Sequence, residues 1–176
     1  FFQLTPRNAS VDISGNCGNM ASAMGPFALD EGLVDAKDGK TEVRIHNTNT
    51  GKIIRARFDV DGEMAAVDGP FTLPGVGGPG AQVTLDFLDP GGAKTGTLTP
   101  TGNMRDVLDV SGVGQIEASM VDAANPCVFV RASDIGITGV ETPDALEANK
   151  AFLDRMEAVR RAASVAMGLS GSLEEA

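Results

Sequence analysis

The stretch best suited to chemistry is Ser14-Gly15-Asn16-Cys17-Gly18-Asn19-Met20, a lone thiol set among two glycines and two amides. Behind it Met20, Ala23, Met24, Phe27 and Ala28 recur at helical spacing, which predicts a core-facing helix opening beside Cys17. A helix start presents unpaired N–H groups and about half a positive charge, conditions that favour a thiolate and can hold an anion. Gly18 lets the backbone approach a bound molecule, because it carries no Cβ. Cysteine in such a place is suited to taking up and returning protons. Glycines and amides are poor material for a packed interior, so Cys17 reads as a site residue and not as a core residue.

The other candidates are weaker. Cys127 stands in the apolar run Cys127-Val128-Phe129-Val130 and is expected in the core. His46, the single histidine, alternates with Val43 and Ile45 beside Arg44, a pattern that predicts a solvated side chain. Asn125 precedes Pro126 and is therefore held extended. Its amide is either aimed at a ligand or caps its own turn.

The strands and helices that carry these groups are readable from pattern. Phe1–Leu4 and Ser10–Ile13 read as short strands around a Pro6-Arg7-Asn8 turn. The helix from Gly18 carries Pro26, which should kink it or end its regular part near Gly25, with helix to about Asp30 and closure around Gly32. Thr41–Asn47 and Lys52–Asp59 alternate around Thr48-Asn49-Thr50-Gly51, a hairpin signal. Further strands are expected at Glu63–Val67, Gln82–Leu88, Val107–Val110 and Gln115–Val121, the last stopping at Asp122-Ala123-Ala124-Asn125-Pro126. The glycine-rich run Pro74–Gly80 lacks the Lys-Ser/Thr pair of a phosphate loop and reads as a connecting loop. Asp89-Pro90-Gly91-Gly92 marks the best boundary, giving domains 1–92 and 93–176. Thr142-Pro143-Asp144 starts one helix that should run to about Met167 on the stripe Ala145, Ala148, Phe152, Met156, Val159, Ala163 and Ala166.

Composition narrows the classes. A net charge of −10 argues against nucleic acid and against an anionic membrane surface. No run approaches the length of a membrane-spanning helix, and two cysteines in unlike settings suggest neither a disulfide framework nor a metal site. A reducing, cytoplasmic setting is expected. The chain opens on Phe1-Phe2-Gln3-Leu4, without an initiator methionine and in what reads as mid-strand, so a central fragment with both ends missing is expected.

Ser14–Asn19 followed by Ala23–Gly32 (AMGPFALDEG) resembles the cysteine segment of the 2-methylaconitate isomerase family, which includes 4-oxalomesaconate tautomerases and methylitaconate isomerases. Pro100-Thr101-Gly102-Asn103, the Asp122–Pro126 segment and the helix after Thr142 extend the resemblance through the whole chain. It implies an α+β, diaminopimelate epimerase-like fold: two similar domains, each a curled antiparallel sheet around a central helix, with a cleft between them. It also implies a cofactor-independent proton shift on an unsaturated di- or tricarboxylate, with no metal. Cys17 is then the catalytic acid or base, Asn16, Gly18, Asn19 and Asn125 bind substrate, and a lysine upstream of Cys17 is the second acid–base group. Lys37 is the first lysine here, so that group is expected outside this chain. So acidic a chain repels polycarboxylates at long range, but screening over about 8 Å leaves local donors to decide binding. An amino-acid epimerase or racemase of the same superfamily, with two facing cysteines, and a non-catalytic binding module stand as alternatives. A homo-oligomer is left open.

Overall fold

The computed structural model describes residues 1–4, 9–36 and 39–176, and the turn expected at Pro6-Arg7-Asn8 lies outside them. The chain is a sheet-rich mixture of strands and helices that divides into two compact units, Phe1–Asp89 and Pro90–Ala176.

In the first unit, β1 (Gln3–Leu4) pairs antiparallel with β2 (Val11–Asp12), and the chain then enters α1 (Gly18–Asp30). The hairpin of β3 (Gly39–Asn47) and β4 (Lys52–Asp61) comes next, with Ile45 opposite Ile54 and Asn47 opposite Lys52. The free side of β4 takes β5 (Met64–Ala65) and β6 (Thr84–Phe87), both antiparallel. Period-two alternation sends Ile54, Ala56, Phe58 and Val60 of β4 to one buried face, and α1 packs there.

α1 runs through Pro26 to Asp30 and closes with Gly32 in the left-handed region, its N–H bonded to the Leu29 carbonyl at 2.9 Å. The face it buries differs from the one its large side chains predict. Ala21, Gly25 and Leu29 are buried, while Met20, Met24 and Phe27 are each about half exposed and Ala23 is exposed too. The cause is steric: a Cβ built on Gly25 would stand 2.8 Å from Phe58 Cε1 and 3.0 Å from Ala56 Cβ. Small residues at Ala21 and Gly25 let the helix backbone lie close against β4, and the bulky stripe turns away.

The second unit has one antiparallel sheet of β7 (Asp106–Val110), β8 (Gly114–Ala123) and β9 (Asn125–Val130), with β8 central. β8 does not stop at Asp122 as expected. It continues to Ala123, and Ala124 alone turns the chain, at φ 64°, before β9 begins with Asn125. A single 3-10 turn at Ala132–Ile135 leads to the helices. The one helix expected after Thr142 is two, α2 (Pro143–Ala148) and α3 (Lys150–Ala166). Asn149 divides them because its side chain caps α3, accepting from the Phe152 N–H at 3.0 Å, in a non-helical backbone conformation. The buried stripe of α3 is accordingly Phe152, Val159 and Ala163, continued by Met167, whereas Ala145, Ala148 and Ala166 are exposed. This stripe and the inner faces of β7 and β8, with Leu108, Val110, Ile116, Ala118 and Met120, make the core.

Cys127 is a correction as well. It lies on the outer face of β9 and is exposed, together with Phe129, because alternation gives only Val128 and Val130 to the helix side. An apolar neighbourhood in sequence does not mean an apolar neighbourhood in space when the element is a strand.

Asp122 is the one fully buried carboxylate among the described residues. Its Oδ2 accepts from the N–H groups of Lys94 and Thr95 at 2.7 Å each and from the Thr95 hydroxyl at 2.9 Å. Its main chain binds the same loop, accepting from Gly92 N–H at 2.8 Å and donating to the Leu98 carbonyl at 2.9 Å. Ala124 N–H reaches Pro90 at 2.8 Å, so residues 90–92 belong with the second unit. Burial pushes the Asp122 carboxyl up, but the donors of Thr95 and Lys94 outweigh it and hold the pKa below the ordinary 3.8. A pKa depressed on folding means stabilisation that is complete above the unfolded value and lost as pH falls through the folded one. Asp122→Ala should therefore destabilise the protein by roughly 3 kcal/mol at neutral pH in urea denaturation. The gap to wild type should stay constant above pH 3.8 and shrink as the solution is acidified below it.

Candidate active site

Local chemistry fixes where α1 begins. After β2, the Ser14 N–H bonds the Asp12 carboxylate at 2.6 Å, and the backbone then runs to Cys17 at φ −128° and ψ 108°, an extended conformation suited to the residue ahead of a helix. The first helical bond joins the Ala21 N–H to the Cys17 carbonyl at 3.0 Å. The N–H groups of Gly18, Asn19 and Met20 stand ahead of that bond, at the positive end of the helix. The Cys17 side chain makes no capping bond and is half-buried.

Cys17 lines a cavity of about 230 Å³ within the first unit. Met20, Met24, Ile45 and Ile54 contribute apolar lining, and Asn16, His46, Asn47 and Asn49 contribute polar groups. The thiol thus has both apolar side chains and the exposed first turn of α1 for neighbours.

The loop carrying Cys17 is attached to the tip of the β3–β4 hairpin. Asn16 Oδ1 accepts from Asn47 Nδ2 at 2.9 Å. Asn47 Oδ1 accepts from the Asn49 N–H at 2.9 Å, and the Asn47 carbonyl accepts from the Gly51 N–H at 2.8 Å. Asn49 Nδ2 donates to the carbonyls of Ile13 and Phe1.

Of the residues singled out in the sequence, Cys17 and Asn16 line one cavity, with Gly18 and Asn19 next in the chain and exposed. A Cβ at Gly18 would meet Phe87 Cζ at an ordinary 3.9 Å, so there is room beside this backbone. Asn125 belongs to the second unit, exposed at the start of β9 next to the left-handed Ala124. His46 is exposed, as the alternation predicts, and it also lines the Cys17 cavity. In the sequence Asn47 and Asn49 read only as hairpin chemistry. The signal that could have found them is a second asparagine in a turn that needs one. Among the described residues no three of His, Cys, Asp and Glu gather as metal ligands, and no helix is long and apolar enough to cross a membrane.

A family model described as PrpF protein matches residues 1–176, the whole chain, and the chain belongs to that family. It is 45% identical over 176 residues to the 3-methylitaconate isomerase of Eubacterium barkeri, covering all of this chain and 46% of that one. It is 38% identical to the 2-methyl-aconitate isomerase of Shewanella oneidensis, again over all of this chain and 46% of the relative. The 4-oxalomesaconate tautomerase of Pseudomonas putida is 39% identical over 91% of this chain and 43% of its own length. The crystal structure of a methylitaconate-delta-isomerase superposes with a TM-score of 0.81 at 44% identity, covering 99% of this chain and 45% of that one. The chain thus spans about half the length of the curated relatives it matches.

The exposure of Cys127 has a direct consequence. Without denaturant, N-ethylmaleimide should label Cys127 in this chain as fast as a free thiol, and mass spectrometry of the Cys127 peptide checks it; protection until unfolding would return that residue to the core.

Proposed function

We propose that the whole protein is a cofactor-independent isomerase that moves a proton on an unsaturated di- or tricarboxylate, with Cys17 as one acid–base group. The observation that carries this reading is the half-buried Cys17 thiol at the start of α1, beside the N–H groups of Gly18 and Asn19 and on the wall of a cavity. The named activities of the relatives, all isomerisations or a tautomerisation, support the reaction class. The diaminopimelate epimerase-like description of the fold belongs to the same proposal, supported by an antiparallel sheet packed on a helix in each unit.

In this mechanism the Cys17 thiolate takes a proton from the carbon next to the substrate's double bond. The C–H electron pair moves into the conjugated system and leaves negative charge on a carboxylate or carbonyl oxygen. The Gly18 and Asn19 N–H groups bind that oxygen, a stabilisation worth roughly 3 kcal/mol per donor in comparable oxyanion sites. A proton then returns at the far end of the three-carbon unit and the double bond shifts, with no net change in atoms or electrons. A lysine upstream of Cys17 is the second acid–base group. Asn16 and Asn125 bind the substrate, Asn125 on the strength of the sequence resemblance alone.

Cys17→Ser in the full-length protein should lower kcat by about 10²- to 10⁴-fold with an unchanged melting temperature. Turnover near wild type on methylitaconate, 2-methylaconitate and 4-oxalomesaconate alike would remove Cys17 from the mechanism. Asn125→Ala should raise KM with a smaller change in kcat, and an unchanged KM would strike it from the binding residues.

A further inference from the structure

The Asn47 side chain makes more hydrogen bonds than a hairpin needs. Its carbonyl oxygen receives the Asn49 N–H, the ordinary work of an asparagine two residues ahead in a turn. Its amide nitrogen is turned outward from the turn and donates to Asn16 Oδ1, 31 residues away and directly before Cys17. Asn49 reaches back in the same way to the Ile13 carbonyl. The hairpin tip therefore grips the loop at residues 13 and 16, on both sides of Ser14-Gly15. The Asn47–Asn16 bond is partly buried, and both residues line the Cys17 cavity, a setting where a hydrogen bond is stronger than in water.

We propose that Asn47 is a positioning residue for Cys17: by anchoring Asn16 it fixes the backbone that enters α1 and holds the thiol against the helix start. This rests on the reading of Cys17 as the reacting group. The helix after Cys17 is fixed by its packing on β4, and the Asn47 bond is a tie on the residue before it. Loss of the Asn47 bond loosens the residue next to Gly15, and a thiol that shifts with it lies farther from the positive end of the helix, whose influence dies away within about one turn.

The test compares Asn47→Ala with Asn47→Ser in the full-length protein. Serine keeps an acceptor for the Asn49 N–H but is too short to reach Asn16. Two readouts are taken: the rate of iodoacetamide alkylation of Cys17 at pH 7, monitored on its own peptide by mass spectrometry, and amide hydrogen exchange over residues 14–19 and 48–51. Both variants should lower the Cys17 alkylation rate at pH 7 about threefold, as expected when the thiol moves off the helix start. Exchange at 14–19 should accelerate in both, with 48–51 unchanged in Asn47→Ser. An unaltered alkylation rate in both variants overturns the positioning role, even if the turn or the melting temperature suffers. Unaltered exchange at 14–19 overturns the tether itself. A wild-type Cys17 that alkylates no faster at pH 7 than a cysteine in a short unstructured peptide sinks the proposed function instead, and exchange at 14–19 still decides the tether.

Discussion

The close approach of α1 to β4 governs the first unit. Gly25 lies where any Cβ would press into Phe58 and Ala56, so the helix axis can sit near the strand only with hydrogen at that position. Ala21, one turn earlier, is buried on the same face, and Leu29, one turn later, anchors the far end in the core. With the helix held there, its first turn and the thiol before it have a defined place relative to β3 and β4. The cavity beside Cys17 is a result of that geometry. Its walls come from the outward stripe of α1 and from the ends of the two strands.

A second constraint acts from the other side of the thiol. The helix fixes the chain after Cys17, and the asparagines of the hairpin tip fix the chain before it. Gly15, between the strand and the helix, supplies little conformational resistance of its own. Directional bonds thus hold the loop on the side away from α1. Polar networks of this kind specify one conformation only when each member is satisfied.

The second unit solves a similar problem with charge. The loop at 91–98 contains glycines and no large apolar side chain except Leu98, so it has little to bury. Asp122 compensates by turning its carboxylate inward and gathering three donors from Lys94 and Thr95. The cost of burying a carboxylate is offset because those donors favour the charged form. At the end of β8 the single-residue turn at Ala124 places a non-glycine residue in the left-handed region, a conformation that costs about 1–2 kcal/mol. The Ala124 N–H bond to Pro90 helps hold it there.

Much of this was readable before any coordinates. The thiol at a helix start is implied by two glycines, two amides and a change of period, all local signals. The β3–β4 hairpin is implied by alternation around a turn-forming tetrapeptide, and the Thr142-Pro143-Asp144 start by capping chemistry. What the sequence left open were the choices made by neighbours distant in the chain. Helical spacing shows that Met20, Met24 and Phe27 share a face, but only the shape of β4 decided that Ala21 and Gly25 would be the face that packs. An apolar run containing Cys127 could be core or surface until pairing with β8 set its register. Asn149 divided a periodic helix because its side chain found an N–H to cap, and Asn47 acquired a second role because folding brought Asn16 within reach. Period and capping are properties of adjacent residues and so are written in the sequence; register, close packing and long-range amide bonds depend on which segments meet, and that is decided in three dimensions.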